Sequence, residues 1–175
     1  VTEAQFMGAI EKVKKIYTPV FAKKGQTLRI IPKWDNKTVN AFARRRGDVA
    51  EVQMFGGLAQ HPNMTIDGFM LVICHETGHH LAGAPMSTLG NIAGYGIPLW
   101  MANEGQSDYF ATTKCAREVW KDDDNAALVE KMHVPALVTE RCQKAFDTSE
   151  DISLCKRSSM AGLALANTLG AMNKL

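Results

Sequence analysis

The stretch Leu71-Val72-Ile73-Cys74-His75-Glu76-Thr77-Gly78-His79-His80-Leu81 constrains this chain more than any other. It holds H-E-x-x-H, two histidines four apart with a glutamate directly after the first. On a helix of about 3.6 residues per turn, positions i and i+4 share one face, one turn apart. Two neutral imidazoles so spaced reach a single Zn²⁺ at about 2.0–2.1 Å per Zn–N bond. Glu76 falls about 100° round the helix, beside the metal and not on it, where it can take a proton from a bound water. The bland alternative is a pair of surface histidines. Val72, Ile73 and Leu81 weigh against it, because they predict a helix buried on most sides. Buried histidines need partners, and a metal is an efficient one.

A catalytic zinc site commonly uses three protein ligands and leaves a fourth position for water. The third ligand is sought downstream, in Asn103-Glu104-Gly105-Gln106-Ser107-Asp108-Tyr109-Phe110, which opens another helix-like stretch. Glu104 and Asp108 are four apart and share a face. One carboxylate can bind the metal while the other accepts the free ring N–H of a ligand histidine and fixes its tautomer. An isolated E-x-x-x-D would be a solvated acidic pair; beside H-E-x-x-H that is the weaker reading.

His75-Glu76-x-x-His79 followed by Asn103-Glu104-x-x-Ser107-Asp108 resembles the gluzincin metallopeptidases, the thermolysin-like clan, whose N-E-x-x-S-D signature is matched at every fixed position. Asn40-Ala41-Phe42 is similar to the N-A-F of the edge strand lining the gluzincin cleft, and Asn40-Ala41-Phe42-Ala43 fits HtpX-type proteases as well. The resemblance covers about residues 27–112, through short motifs. It implies that Glu104 is the third ligand and that Asp108 orients His75. It also implies that the Asn40-Ala41 backbone and the Asn40 amide hold a substrate main chain. Thermolysin's large C-terminal domain and the membrane helices of HtpX-type enzymes have no counterpart here, so the expectation is a minimal core.

At 175 residues and 46% hydrophobic, the chain suits one domain, 1–175. It divides into an N-terminal helix and sheet over 1–64, metal-binding helices over 65–120 and a helical cap over 121–175. A net charge of +2 makes no case for nucleic acid. No apolar run approaches the roughly 18 residues of a membrane span. The chain opens on Val1, as a processed product would, and a removed export signal fits.

The fold class expected is α+β: a small mixed or antiparallel sheet with an edge strand lining the cleft, packed on the metal-binding helix and followed by helices. Thr2-x-x-Gln5 is a capping box for a helix ending before Pro19 or near Gly25. Thr27 to Ile31 reads as a strand closed by Pro32; Val39–Arg45 and Val49–Phe55 read as a hairpin about Arg46-Gly47-Asp48. An edge strand offers unpaired backbone groups to an extended peptide. Thr65 or Asn63 caps the metal helix and Gly83-Ala84-Pro85 stops it. Met86 to Ile97 reads as an irregular rim loop, and Pro98 as the start of the Glu104 helix, which extends to about Trp120. Pro135 divides two helical stretches, and Ile152–Leu169 is a helix whose small residues imply close packing.

Cys142 and Cys155 flank a turn near Thr148-Ser149, and a disulfide there would favour an oxidising compartment, hence export to a periplasm or the extracellular space. Cys74 reads as a small buried hydrophobe, and Cys115 has no assigned partner.

The resulting expectation is a zinc peptidase acting on a peptide or protein, with one Zn²⁺ on His75, His79 and Glu104 and with Glu76 as general base. Candidates for the oxyanion stabiliser are Tyr95, Tyr109, His80 and His133, although His80 fits packing or a backbone contact better. The alternative is a non-catalytic, zinc-stabilised module holding a protein partner along the edge strand. A structural zinc site, however, is usually closed by a fourth protein ligand and needs no base.

Overall fold

Thr2 opens the first helix with the expected capping box: its hydroxyl accepts from the Gln5 N–H at 3.2 Å, and the Gln5 side chain accepts from the Thr2 N–H at 2.9 Å. In the computed structural model, which describes residues 1–92 and 95–172 with side chains except those of 89–98, α1 (Glu3–Ala22) buries Phe6, Ile10, Val13, Tyr17 and Phe21 along one stripe. It passes through Pro19 and stops short of Gly25. A proline in the last turn of a helix removes one hydrogen bond without ending it.

β1 (Thr27–Lys33), β2 (Ala41–Arg46) and β3 (Val49–Phe55) form a mixed sheet in the order β1-β3-β2. β1 runs parallel to β3, and β2 pairs antiparallel with it across the turn at Gly47-Asp48, which leaves β2 at the edge. Ala50, Val52 and Met54 of β3 lie in the core with residues of α1 and of α3 (Ile66–Leu81). Between the sheet and α3, Gly56–Ala59 form a short helix, α2. Thr65 caps α3, its hydroxyl accepting from Gly68 N–H at 3.0 Å.

Two sequence expectations are overturned beyond α3. Met86–Ile92 and Tyr95–Ala102 pair as an antiparallel ribbon, β4 and β5, with register shifts, in place of an irregular loop. Pro98 lies inside β5 opposite Thr88, and the Glu104 helix starts six residues later than Pro98 would place it. Glycine and proline read locally as breakers; a two-stranded ribbon leaves each strand a free edge on which a missing N–H is tolerated.

The helix predicted to reach Trp120 does so in three pieces: α4 (Glu104–Phe110), a π-helical turn (Ala111–Cys115) and α5 (Ala116–Trp120). α6 (Asn125–Glu130), α7 (Ala136–Ala145) and α8 (Ser149–Met172) complete the α+β fold. Among the described residues no helix is long and apolar enough to cross a membrane.

Cys142–Cys155 joins α7 to α8, as the spacing predicts. Cys74 corrects the sequence reading: it is bridged to Cys115, tying α3 to the π-helical turn across 41 residues. A partner so distant becomes visible only once the two helices are packed side by side. Two disulfides are the pairing of an oxidising compartment.

The helical part is anchored on α3 by a buried charge. Arg157 of α8 donates to both carboxylate oxygens of Asp67, at 2.9 and 2.8 Å, and to Asp123 and Asn125 at 2.8 and 2.9 Å. Its guanidinium lies 4.5 Å from the centre of the Trp120 ring. Arg157→Met leaves the Asp67 carboxylate buried without its partner, and should cost about 3–5 kcal/mol in a urea melt. Adding Asp67→Asn should recover part of that loss. Burial, reinforced by Glu118, pushes the Tyr17 phenol up to about 12. Its contribution to stability is therefore full below pH 10 and lost as pH rises through about 12. Tyr17→Phe should flatten that part of the pH–stability curve.

Candidate metal centre

α3 presents Gly68, Val72, His75, Glu76 and His79 on one side, and α4 crosses close to it at Gly78. A Cβ on Gly78 would lie 3.1 Å from both Cα and the carbonyl oxygen of Ser107 and 3.2 Å from the Phe110 ring. That glycine, inside H-E-x-x-H but not one of its fixed positions, sets how near α4 comes. Asn103 starts α4 by accepting the Gln106 N–H at 2.8 Å, so Glu104 is the first residue of the helix and its carboxylate leans back over the histidines.

The three expected ligands converge. Glu104 Oε2 lies 3.0 Å from His75 Nε2, and Oε1 lies 3.7 Å from His79 Nε2. One ligand atom from each of the three residues falls within 4.8 Å of the others. The far ring nitrogens decide the tautomers. His75 Nδ1 is 2.8 Å from Asp108 Oδ1, and His79 Nδ1 is 2.9 Å from the Ala102 carbonyl. Both oxygens are acceptors, so both Nδ1 atoms carry hydrogen, and in the neutral rings both Nε2 atoms then present lone pairs. Ser107 Oγ adds a second contact to His79 Nδ1 at 3.0 Å. With both rings neutral, three electron pairs point into one space, and a positive charge there, a metal ion or a proton on Nε2, relieves their repulsion. The donor set of two imidazoles and a carboxylate can hold a metal ion, and its composition fits Zn²⁺.

Glu76 is different from the other two carboxylates. Glu104 and Asp108 have side chains 75% and 69% exposed, whereas Glu76 is 7% exposed. Burial pushes its carboxyl up to about 7; His75 and the Ala43 backbone N–H pull it down, and Glu104 pushes it up. A carboxyl so placed exchanges a proton near neutrality.

His75, Glu76, Glu104 and Asp108 line one cleft of about 300 Å³, with the buried His79 behind its wall. Asn40 and Ala41 are on its wall, as expected. The Asn40 Oδ1, however, accepts from Ala41 N–H at 2.9 Å, which leaves its Nδ2 hydrogens for a ligand.

The four oxyanion candidates fare worse. His80 faces away: Nε2 is 3.2 Å from the Glu51 carbonyl and its ring stacks on Trp100 at 4.8 Å. Burial above all drives its pKa down to about 4, so it packs as a neutral ring. His133 lines a different groove, with Asp67 and Met160. Tyr109 is exposed and lies off the cleft, one residue and about 100° round the helix from Asp108. The Tyr95 side chain lies outside the described residues. Among the described side chains lining the cleft, Asn40 Nδ2 is the amide donor.

Sequence reasoning missed Ala102 and Ser107 as the groups holding His79, and Leu165, Leu169 and Met172 of α8 as lining residues. Ser107 stands in the N-E-x-x-S-D pattern and was a readable signal; a backbone carbonyl and a helix some 90 residues downstream were not.

Gly78→Ala should push α4 outward and weaken metal binding by roughly tenfold, of the order of 1–2 kcal/mol of overpacking. Competition against a chromophoric chelator measures this. No protein-family model, curated protein or solved structure matches the chain.

Proposed function

We propose that this chain is a zinc-dependent peptidase of gluzincin-like design, cutting peptide or protein substrates in an oxidising, exported setting. The observation that carries the reading is the convergence of His75, His79 and Glu104 beside a buried carboxyl that none of their contacts employs. A structural ion needs no such neighbour.

A Zn²⁺ held by His75, His79 and Glu104 would supply Lewis acidity, lowering the pKa of a water and polarising a carbonyl. The protein's own groups do the rest. Asp108 and the Ala102 carbonyl hold the two rings with their Nε2 lone pairs inward, so that no reorientation is needed at the moment of reaction. Glu76 Oε takes the proton of the attacking water and returns it to the departing amine, a role suited to a carboxyl whose pKa lies near neutrality. Ala41, the first residue of the edge strand β2, lines the cleft with Asn40, where outward carbonyls of the strand can pair with an extended substrate and Asn40 Nδ2 can donate to a carbonyl.

The zinc-stabilised interaction module is less well supported. Among the described residues no fourth histidine, cysteine or carboxylate joins the three, and Glu104 is open to solvent. A structural zinc site is usually closed.

Digestion of a diverse peptide pool, with and without chelator, tests the reading. Zinc-dependent cleavage should fall by at least about 10²-fold in Glu76→Gln while stoichiometric zinc is retained. Cleavage that survives the change rejects Glu76 as base. Stoichiometric zinc with no hydrolysis by the unaltered protein favours the module.

A further inference from the structure

Cys74 immediately precedes His75 on α3, and Cys115 closes the π-helical turn that follows α4. Their bridge therefore joins the helix of His75 and His79 to the helical segment of Glu104 and Asp108. A closed circuit results. It runs from Cys74 to His75, across the 2.8 Å contact of Nδ1 with Asp108 Oδ1, along the chain from Asp108 to Cys115, and back through the sulfurs. The stretch from Asp108 to Cys115 is held firmly. Ala116 N–H donates to the Ala111 carbonyl, five residues back, and the hydroxyls of Thr112 and Thr113 donate to the carbonyls of Asp108 and Tyr109 at 2.8 and 2.6 Å. Neighbouring positions on α3 point about 100° apart, so Cys74 leaves the ligand face clear and acts on the centre only by fixing backbone.

Resting on the metal centre of the reading above and not on peptide cleavage, we propose that Cys74–Cys115 is the positioning bridge of that centre, so that zinc affinity and the oxidation state of this one disulfide are linked. Zinc needs its ligands placed to within about 0.5 Å, and these ligands come from two helices. The ion draws the two together at the ligands; the disulfide draws the same two together one residue away. Each constraint supplies part of the ordering that the other requires, and the linkage is reciprocal. The chain then takes up Zn²⁺ tightly only after the bridge has closed, which ties metal occupancy to an oxidising compartment. Opening the bridge takes two electrons from an external dithiol: the S–S bond breaks, each sulfur gains a proton, and the dithiol leaves as a disulfide. Both cysteines are 0% exposed, so the dithiol enters only when α3 and the π turn part, a motion that bound zinc resists. Cys142–Cys155 joins α7 to α8, neither of which carries a ligand, and lacks this link.

Competition with a chromophoric chelator measures zinc affinity in the unaltered protein, in Cys74→Ala/Cys115→Ala and in Cys142→Ala/Cys155→Ala. The first variant should bind about 10–100-fold more weakly, the scale on which groups behind a metal's ligands act. The second should stay within about twofold of the unaltered protein. Equal affinities in all three proteins, or equal losses in both variants, overturn the proposal. The predicted pattern in a protein that cuts no peptide keeps the bridge and discards the peptidase. An unaltered protein that takes up no zinc overturns the metal centre and the proposal with it.

A second measurement needs no substitution. The unaltered protein is equilibrated in dithiol–disulfide redox buffers, with free Zn²⁺ either removed or clamped at a saturating level by a metal buffer. Alkylation and mass spectrometry then read each cysteine pair separately. Zinc should make the Cys74–Cys115 midpoint more negative by about 30–60 mV, which is the 10–100-fold linkage converted for a two-electron couple. The Cys142–Cys155 midpoint should not move. A Cys74–Cys115 midpoint indifferent to zinc overturns the proposal, and so does a shift to less negative values, the sign expected if the reduced sulfurs themselves captured the ion.

Discussion

Lone pairs on His75, His79 and Glu104 face one another at separations as short as 3.0 Å, with the Nδ1 hydrogens of both rings already committed to Asp108 and Ala102. Acceptors do not rest against acceptors without positive charge between them, a metal ion or a proton, and the surrounding fold is what holds them in that relation. α3 spaces the two imidazoles. Asn103 begins α4 at the residue where Glu104 can lean back, and Gly78 lets the two helices close. The Cys74–Cys115 bridge ties α3 to the π-helical turn that follows α4. Position in this centre is therefore set by backbone packing first and by side-chain choice second.

A low-exposure carboxyl beside two open ones gives the cleft its chemical asymmetry. Glu104 and Asp108 are solvated and suit ligand and orienting roles; Glu76 is not, and burial above all raises its proton affinity to the neutral range. Identical chemistry on one small surface is differentiated by depth. The same logic makes His80 a neutral packing ring although it adjoins a ligand, because its neighbours are Trp100, Phe21 and a backbone carbonyl.

α8 couples the helical C-terminal part to this centre. Its buried arginine locks it to Asp67 in the first turn of α3, and its small residues let it lie close. Small side chains on one stripe and large ones on the next do different work: the first sets the distance between helices, the second lines the cleft. Reading the small residues as a sign of close packing was right for Ala161 and Ala164; it passed over Leu165, Leu169 and Met172, whose surroundings depend on which way the helix is turned.

Helical spacing, turn chemistry and the charge pattern are local properties, and what rests on them was legible in the residues alone. That holds for the capping box at Thr2, the hairpin about Gly47-Asp48, the cap at Thr65, and the two histidines and two carboxylates each four apart. The Cys142–Cys155 pair was legible for the same reason, since a short turn brings its helices together. The β4–β5 ribbon, the Cys74–Cys115 bridge, the Ala102 carbonyl behind His79 and the apolar wall of α8 were not. Each depends on segments meeting across tens of residues, and no periodicity along the chain encodes which face of one element will touch another. The order of residues thus determined which atoms can bind a cation; only the packing of α3, α4, β5 and α8 decided that they meet, and what lies beside them.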